Sequence, residues 1–169
     1  TSEVIATIPR SNLNDVNEAV LAADKARHKW SSLSLDERRK WLEKIANALE
    51  ARSEEIDKLE SLDTGKPIKI ARAVDASRSV ANFRFFAEFS KDFHEQKFLM
   101  EDATNHVIFK PVGIAGLITP WNLPLYLLSW KIAPAIVMGN TVVAKPSELT
   151  PLTANLLAEV FDEVGLPAG

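Results

Sequence analysis

The segment GIAGLITPWNLPLYLLSWKIAPAIVMGNTVVAK, residues 113–145, carries the pattern that decides the fold. The apolar run Ile114–Ile118 predicts a strand buried on both faces, and the β-branched run Thr141–Lys145 predicts a second buried strand. Between them, Leu123 to Met138 has the length and composition of a helix, although Pro134 should kink or shorten it. A strand, a helix and a strand in this order predict a right-handed crossover between two parallel strands.

A further helix follows the second strand and completes a βαβα unit over residues 113–169. Thr150 is expected to cap this helix, with Pro151 at its first position. Ligands of parallel sheets bind outside the carboxyl ends of the strands. The sequence therefore points to two loops, which are residues 119–122 after the first strand and residues 146–148 after the second.

The first 94 residues are expected to be helical. Apolar residues recur at helical spacing from Leu13 to Trp30, and Ser34 with Glu37 forms a capping-box pattern before a second helix. Two more helices are expected, from Glu54 to Leu62 and from Ile70 to Phe93. The residues expected to be buried are Leu42, Ile45, Ala46 and Leu49 on the second helix, Val74, Ala81, Phe85 and Phe89 on the last, and the aromatic cluster Phe83, Phe85, Phe86, Phe89 and Phe93.

Residues 95–112 interrupt the helical pattern. Lys97–Glu101 and His106–Lys110 alternate roughly between apolar and polar residues, with turn residues between them, which predicts a hairpin or an extended connection. The expected fold class is therefore α/β, with N-terminal helices, a hairpin segment and the start of a Rossmann-like parallel sheet.

The composition restricts the classes of protein that the chain can represent. Its 169 residues are 46% hydrophobic and 25% charged, with a net charge of -3, which is ordinary for a globular domain. We expect no nucleic-acid partner, no membrane span and a cytoplasmic location. The chain has no cysteine, which excludes disulfides and a cysteine nucleophile within these residues. Because its three histidines are widely separated, no metal site is expected.

Polar residues at the ends of the two predicted strands are the candidates for chemistry. Asn122 follows the first strand, and its amide N–H can stabilise a developing oxyanion without carrying a charge. Lys145, Ser147 and Glu148 follow the second strand, where a carboxylate can accept hydrogen bonds from a cofactor ribose. Taken singly, these residues are more often plain turn residues. The glycine fingerprint G-x-G-x-x-G is absent between strand and helix, so a standard dinucleotide loop is not indicated.

Two long motifs, GIAGLITPWNLPL at residues 113–125 and GNTVVAKPSE at residues 139–148, resemble the aldehyde dehydrogenase superfamily. DTGKP at residues 63–67 and the helices before it are similar to the same family, so the resemblance covers essentially the whole chain. Residues 78–87 and 121–134 further resemble the 2-aminomuconate and 2-hydroxymuconate semialdehyde dehydrogenases. Those enzymes oxidise ring-cleavage semialdehydes that carry a carboxylate. Betaine aldehyde dehydrogenases are a nearby alternative.

The resemblance implies an NAD-dependent oxidation in which a cysteine thiolate attacks an aldehyde, hydride passes to nicotinamide, and a water activated by a glutamate hydrolyses the thioester. Asn122 matches the oxyanion donor of the family, while Lys145 and Glu148 match residues that hold the adenosine ribose. The residues expected at the cofactor site are Ile118, Thr119, Pro120, Trp121, Lys145, Ser147 and Glu148.

The resemblance also implies a division of the chain. Residues 1–94 would be the helical part of the cofactor-binding domain, residues 95–112 a bridging segment for oligomerisation, and residues 113–169 the first βαβα unit of the NAD-binding domain. The cysteine, the base glutamate and the glycine-rich turn of the family lie beyond position 169. We therefore expect the chain to be inactive alone, and to be part of a longer enzyme that forms a dimer or tetramer.

Arg78 is the candidate for recognising a carboxylated substrate. Its helical spacing with Val74, Ala81 and Phe85 places it near the predicted apolar face, where an unpaired charge would be costly. A structural ion pair and a guanidinium that grips the substrate carboxylate both remain open at this point. Arg84 is the second candidate.

Two other classes of function also remain open. One is a non-catalytic module that keeps only cofactor affinity or oligomer contacts, which the absence of cysteine favours. The other is a different small-molecule dehydrogenase, which the missing glycine fingerprint and the motif around Asn122 disfavour.

Overall fold

The computed structural model describes residues 3–169 of the chain. Four consecutive α-helices form the first half of the chain. Capping boxes fix the start of the first two: the side chains of Asn12 and Ser34 each accept a backbone hydrogen bond, and Asp15 and Glu37 accept one in return. The predicted helices are thus confirmed, with small changes at their ends. They are α1 (Leu13–Ser31), α2 (Leu35–Ala51), α3 (Ser53–Thr64) and α4 (Ile68–Phe89).

The second half contains the predicted hairpin and the βαβα unit. After a short 3-10 turn at Ser90–Asp92, two exposed strands pair antiparallel, with Gln96 opposite Val107. Two later strands pair in parallel, from Ile114 opposite Thr141 at one end of the ladder. These elements are β1 (Gln96–Leu99), β2 (Thr104–Val107), β3 (Ile114–Ile118), α5 (Pro124–Val137), β4 (Thr141–Lys145) and α6 (Leu152–Glu163).

The hydrophobic core lies where α2, α4, α5 and α6 meet. The predicted face of α2, formed by Leu42, Ile45, Ala46 and Leu49, is fully buried there. Since burying a leucine or isoleucine side chain contributes about 1.5–3 kcal/mol, this face holds α2 firmly against the other helices. The rest of the core includes Phe83 and Ala87 of α4, Leu125, Leu128, Ile132 and Ala133 of α5, and Leu156, Leu157 and Val160 of α6. No helix within residues 3–169 is long and apolar enough to cross a membrane.

The predicted buried face of α4 is wrong. Ala81, Phe85 and Phe89 are exposed, and Phe85 and Phe89 stack on each other at the surface. The helix is rotated so that nearly the opposite side, which consists mainly of small and polar residues, faces the core. Apolar residues occur on every side of this helix, so periodicity alone does not select a face. The residues that α4 buries are Ala71, Asp75, Ala76, Ser79, Val80, Phe83 and Ala87.

Three smaller expectations also need correction. β3 is not buried on both faces, because Ile118 is 71% exposed. Pro134 does not end α5, which continues to Val137. Thr150 does not cap α6; the first free N–H of that helix, at Leu152, instead donates to the Asp63 carboxylate at 2.9 Å. The acceptor comes from the end of α3, which is distant in sequence.

Gly139 occupies the tight turn between α5 and β4. Its φ of +88° lies in the left-handed region, and a Cβ added there would lie 2.8 Å from Cγ of Pro111. Gly65, which follows α3, has a similar φ of +74° but open space around the same position. Both positions therefore favour glycine because of their backbone conformation, and only Gly139 also needs it because a side chain would clash.

We expect Gly139→Ala to destabilise the protein more than Gly65→Ala. Both changes place a side chain in the left-handed region, which costs about 1–2 kcal/mol. Only Gly139→Ala also overpacks a neighbour, which adds about 1–3 kcal/mol. Urea denaturation of the two variants measures the difference. Equal losses would show that Pro111 moves aside without cost.

Candidate active and cofactor site

The two loops singled out by the sequence meet at one end of the parallel sheet. Ile118 and Lys145 are opposite each other at the carboxyl ends of β3 and β4. Just beyond them, the N–H of Thr119 donates to the carbonyl of Lys145 at 3.2 Å. The candidate oxyanion loop and the candidate ribose loop are thus neighbours, at the edge where parallel sheets bind ligands.

The β4 side of this edge carries an exposed ion pair. The ammonium of Lys145 donates to Oε2 of Glu148 at 2.6 Å. This hydrogen bond lowers the pKa of the Glu148 carboxyl, which keeps it an anionic acceptor at neutral pH. Ser147 lies between them, and its side chain accepts from the N–H of Leu149 at 3.2 Å, so it shapes the turn.

The β3 side offers a mixed surface. Ile118, Pro120 and Trp121 are exposed, whereas Thr119 is buried. Oγ1 of Thr119 has no hydrogen-bond partner among residues 3–169. Lys131 of α5, which sequence reasoning did not select, reaches the same edge and donates to the carbonyl of Ile118 at 2.6 Å.

Asn122 lies in a loop that is held on both sides. Before it, the carbonyl of Trp121 accepts from the hydroxyl of Thr150 at 3.4 Å. After it, the N–H of Leu125 donates to Oε1 of Glu60 at 3.1 Å. The Asn122 side chain itself is exposed and forms no hydrogen bond within the described part of the chain. Its amide N–H is therefore free to donate to a bound substrate.

Sequence reasoning missed the buried charges behind this loop. Glu60 is fully buried, and its Oε2 accepts from the ammonium of Lys66 at 3.2 Å. The same ammonium donates to both oxygens of the buried Asp75, at 2.9 and 2.8 Å. The hydroxyl of Thr153 donates to Oε1 of Glu60 at 2.8 Å. Burial raises the pKa of the Glu60 carboxyl, while the hydrogen bonds from Leu125 and Thr153 act in the opposite direction.

Arg78 is exposed, which corrects its expected place near a buried face. The rotation of α4 carries it to the side that faces the start of α5. There, Cζ of its guanidinium lies 5.9 Å from the ring centroid of Tyr126, and that ring in turn stacks on Trp130 with centroids 5.4 Å apart. No salt bridge involves Arg78 within residues 3–169. Tyr126 lies in the first turn of α5, so Arg78 contacts the helix that directly follows the candidate oxyanion loop.

Arg84, the second candidate, does not share this position. Its guanidinium donates to Glu50 at 2.6 Å and to Asn47 at 3.3 Å, both on α2. An exposed pair of this kind contributes little to stability, but it engages the donors of Arg84 elsewhere. The geometry therefore favours Arg78 over Arg84.

A groove of about 1070 Å³ lies away from these residues. It runs between α1, β4 and α6, and apolar side chains such as Trp30, Val142 and Phe161 line it. None of the candidate catalytic or cofactor residues borders it. The groove and the polar groups at the carboxyl ends of the strands are therefore separate features of the surface.

Comparison with known proteins gives a consistent result. The model of the aldehyde dehydrogenase family matches residues 1–169. The chain is 51% identical to 2-aminomuconic semialdehyde dehydrogenase of Danio rerio, over 100% of this chain and 35% of that protein. It is 43% identical to 2-hydroxymuconic semialdehyde dehydrogenase of a Pseudomonas species, over 99% of this chain and 36% of that protein. The chain thus spans about a third of the length of these relatives.

A solved structure supports the fold. The structure of an NAD+ complex of aldehyde dehydrogenase from Bacillus cereus is 36% identical and superposes with a TM-score of 0.95. The match covers 99% of this chain and 35% of the other.

Proposed function

The chain belongs to the aldehyde dehydrogenase family, and we propose that it forms part of an NAD-dependent enzyme that oxidises a carboxylated semialdehyde to the acid. The observation that carries this proposal is the placement of Asn122. Its exposed amide lies just beyond the carboxyl end of β3, in a loop that is held on both sides and is the neighbour of the loop that carries the Lys145–Glu148 pair. The nucleophile must come from outside these residues, since the chain has no cysteine.

The role of Asn122 follows from its chemistry. Attack on an aldehyde carbon moves negative charge onto the carbonyl oxygen, and a fixed neutral donor stabilises that charge. The Asn122 amide can do this without a protonation step. Holding the loop beforehand means that little reorganisation is needed when charge develops.

Lys145 and Glu148 fit the ribose of a dinucleotide. A ribose diol needs acceptors and donors close together, and these side chains offer both at an exposed strand end. The carboxylate of Glu148 would accept from a 2′-hydroxyl and repel a 2′-phosphate. NAD, when bound, would supply a hydride acceptor. Within this chain, Ile118, Thr119, Pro120, Trp121 and Ser147 would shape the cleft around it.

Arg78 is proposed to recognise the substrate carboxylate. Its guanidinium is exposed, free of an acidic partner among residues 3–169, and held over the Tyr126 ring. A planar guanidinium can pair with a carboxylate through two hydrogen bonds. The relatives named for muconic semialdehydes support this substrate class.

The exposed hairpin is proposed to contact another subunit. All residues of β1 and β2 are exposed, including apolar ones such as Phe98, Leu99 and Val107. An exposed apolar strand edge is usually covered in a native protein. We assign residues 95–112 to oligomerisation, residues 1–94 to the helical part of the cofactor-binding domain, and residues 113–169 to its first βαβα unit.

We expect Asn122→Ala in the complete enzyme to lower kcat by about a hundredfold or more, since it removes one oxyanion donor. Steady-state kinetics with the aldehyde checks this. Asn17→Ala is the matched control, because Asn17 is an exposed asparagine of α1, outside the candidate site and the hairpin. An unchanged kcat for Asn122→Ala would contradict the proposed function.

We expect the enzyme to use NAD more efficiently than NADP, measured as kcat/KM for each cofactor. Glu148→Gln should lower the ratio of kcat/KM for NAD to kcat/KM for NADP by about tenfold, because it removes a negative charge near the 2′ position of the adenosine ribose. Glu163→Gln is the control, since Glu163 pairs with Arg52 on the surface, away from the site. A wild-type preference for NADP would show that Glu148 does not face the ribose.

We expect Arg78→Ala to lower kcat/KM for a carboxylated semialdehyde by about tenfold to a hundredfold, the value of a charged hydrogen bond. A neutral aldehyde of similar size should lose far less. Arg84→Ala is the matched control, because Arg84 lies on the same helix and is also exposed. Equal losses of Arg78→Ala on both aldehydes would assign Arg78 a structural role.

A further inference from the structure

The first turn of α5 lacks a local cap. Its N-cap residue, Leu123, forms no side-chain hydrogen bond, and Pro124 has no N–H to donate. The N–H of Leu125 is therefore the first amide donor of the helix, and Leu125 is fully buried. A buried N–H without an acceptor would cost about 1–3 kcal/mol, so this turn depends on an acceptor from elsewhere.

Glu60 supplies that acceptor from α3. Its Oε1 receives the N–H of Leu125 at 3.1 Å and the hydroxyl of Thr153 at 2.8 Å. Its Oε2 receives the ammonium of Lys66, so both oxygens are engaged. A fully buried carboxylate with three donors has little freedom to move.

The loop that carries Asn122 ends at this helix turn. Asn122 precedes Leu125 by three residues. On its other side, the carbonyl of the adjacent Trp121 accepts a hydrogen bond from the hydroxyl of Thr150. Oxyanion donors act only within about 2.7–3.1 Å of the charged oxygen, so a small shift of the loop removes the bond.

We propose that Glu60 is a positioning residue for the oxyanion donor: it fixes the first turn of α5, and through that turn it sets the position of Asn122. The inference rests on the proposed role of Asn122. Because Glu60 is fully buried, its side chain is not accessible for direct contact with substrate or cofactor. Its removal should therefore affect kcat more than the KM of either substrate.

Two variants of similar volume test this in the complete enzyme. Glu60→Gln keeps an oxygen that can accept from Leu125 and Thr153, whereas Glu60→Met keeps the volume and loses the acceptor. Glu60→Met is expected to lower kcat by about tenfold to a hundredfold, with KM values changed by less than about threefold. Glu60→Gln should recover most of the loss.

Asp75→Asn is the matched control. Asp75 belongs to the same buried network and pairs with the same Lys66, but it forms no hydrogen bond with α5. The control should lower Tm and leave kcat close to that of the wild type. A loss of kcat equal to that of Glu60→Met would assign the effect to general destabilisation and overturn the proposal.

A double-mutant cycle with Asn122→Ala separates the two ideas. If Glu60 acts through Asn122, Glu60→Met lowers kcat by less than about twofold in the Asn122→Ala background. A second outcome is that Asn122→Ala lowers kcat, while Glu60→Met lowers kcat by the same factor in the wild-type and the Asn122→Ala backgrounds. In that case the positioning role of Glu60 is wrong and the oxyanion role of Asn122 stands. If Asn122→Ala alone leaves kcat unchanged, the oxyanion role is wrong and the positioning role falls with it.

Should Glu60→Met fail to give folded enzyme, Glu60→Asp replaces it in the cycle. Asp keeps the charge opposite Lys66 but is one methylene shorter, which withdraws the acceptor from Leu125. A fall in kcat that disappears in the Asn122→Ala background supports the proposal. A wild-type kcat for Glu60→Asp overturns it.

Discussion

A carboxylate that is fully buried between helices needs hydrogen-bond donors for both oxygens. Glu60 accepts hydrogen bonds from three separate parts of the chain. Leu125 belongs to α5, Thr153 to α6, and Lys66 to the turn after α3. One turn further along α3, Asp63 accepts from the first amide of α6. The end of α3 therefore sets where both α5 and α6 begin. The loops that precede these helices carry the candidate oxyanion and ribose residues, so their positions depend on the same contacts.

Local patterns in the sequence were sufficient for much of this architecture. The predicted capping box of Ser34 and Glu37 involves residues three positions apart, and β3 and β4 stand out as short apolar or β-branched runs. The meeting of Ile118 and Lys145 also followed from sequence, since the carboxyl ends of parallel strands share one edge. In such cases the residues that decide the structure are close together in the chain.

Where the deciding partners are distant, the sequence was insufficient. The orientation of α4 depends on Asp75 meeting Lys66 and on small residues packing against α5, while apolar residues on all sides of the helix hide its buried face. The predicted face therefore lies nearly opposite the buried one, and this error affected Arg78 and Phe85 together. The contact of Glu60 with Leu125 spans 65 positions.

The open strand edges have a consequence for handling of this polypeptide. Within residues 3–169, β3 pairs only with β4 and β1 only with β2, so each sheet of two strands leaves backbone groups without a partner strand. Such edges can template pairing between copies, and the apolar residues along the hairpin strengthen that tendency. Copies of the chain would therefore be prone to associate with one another through these edges and to aggregate.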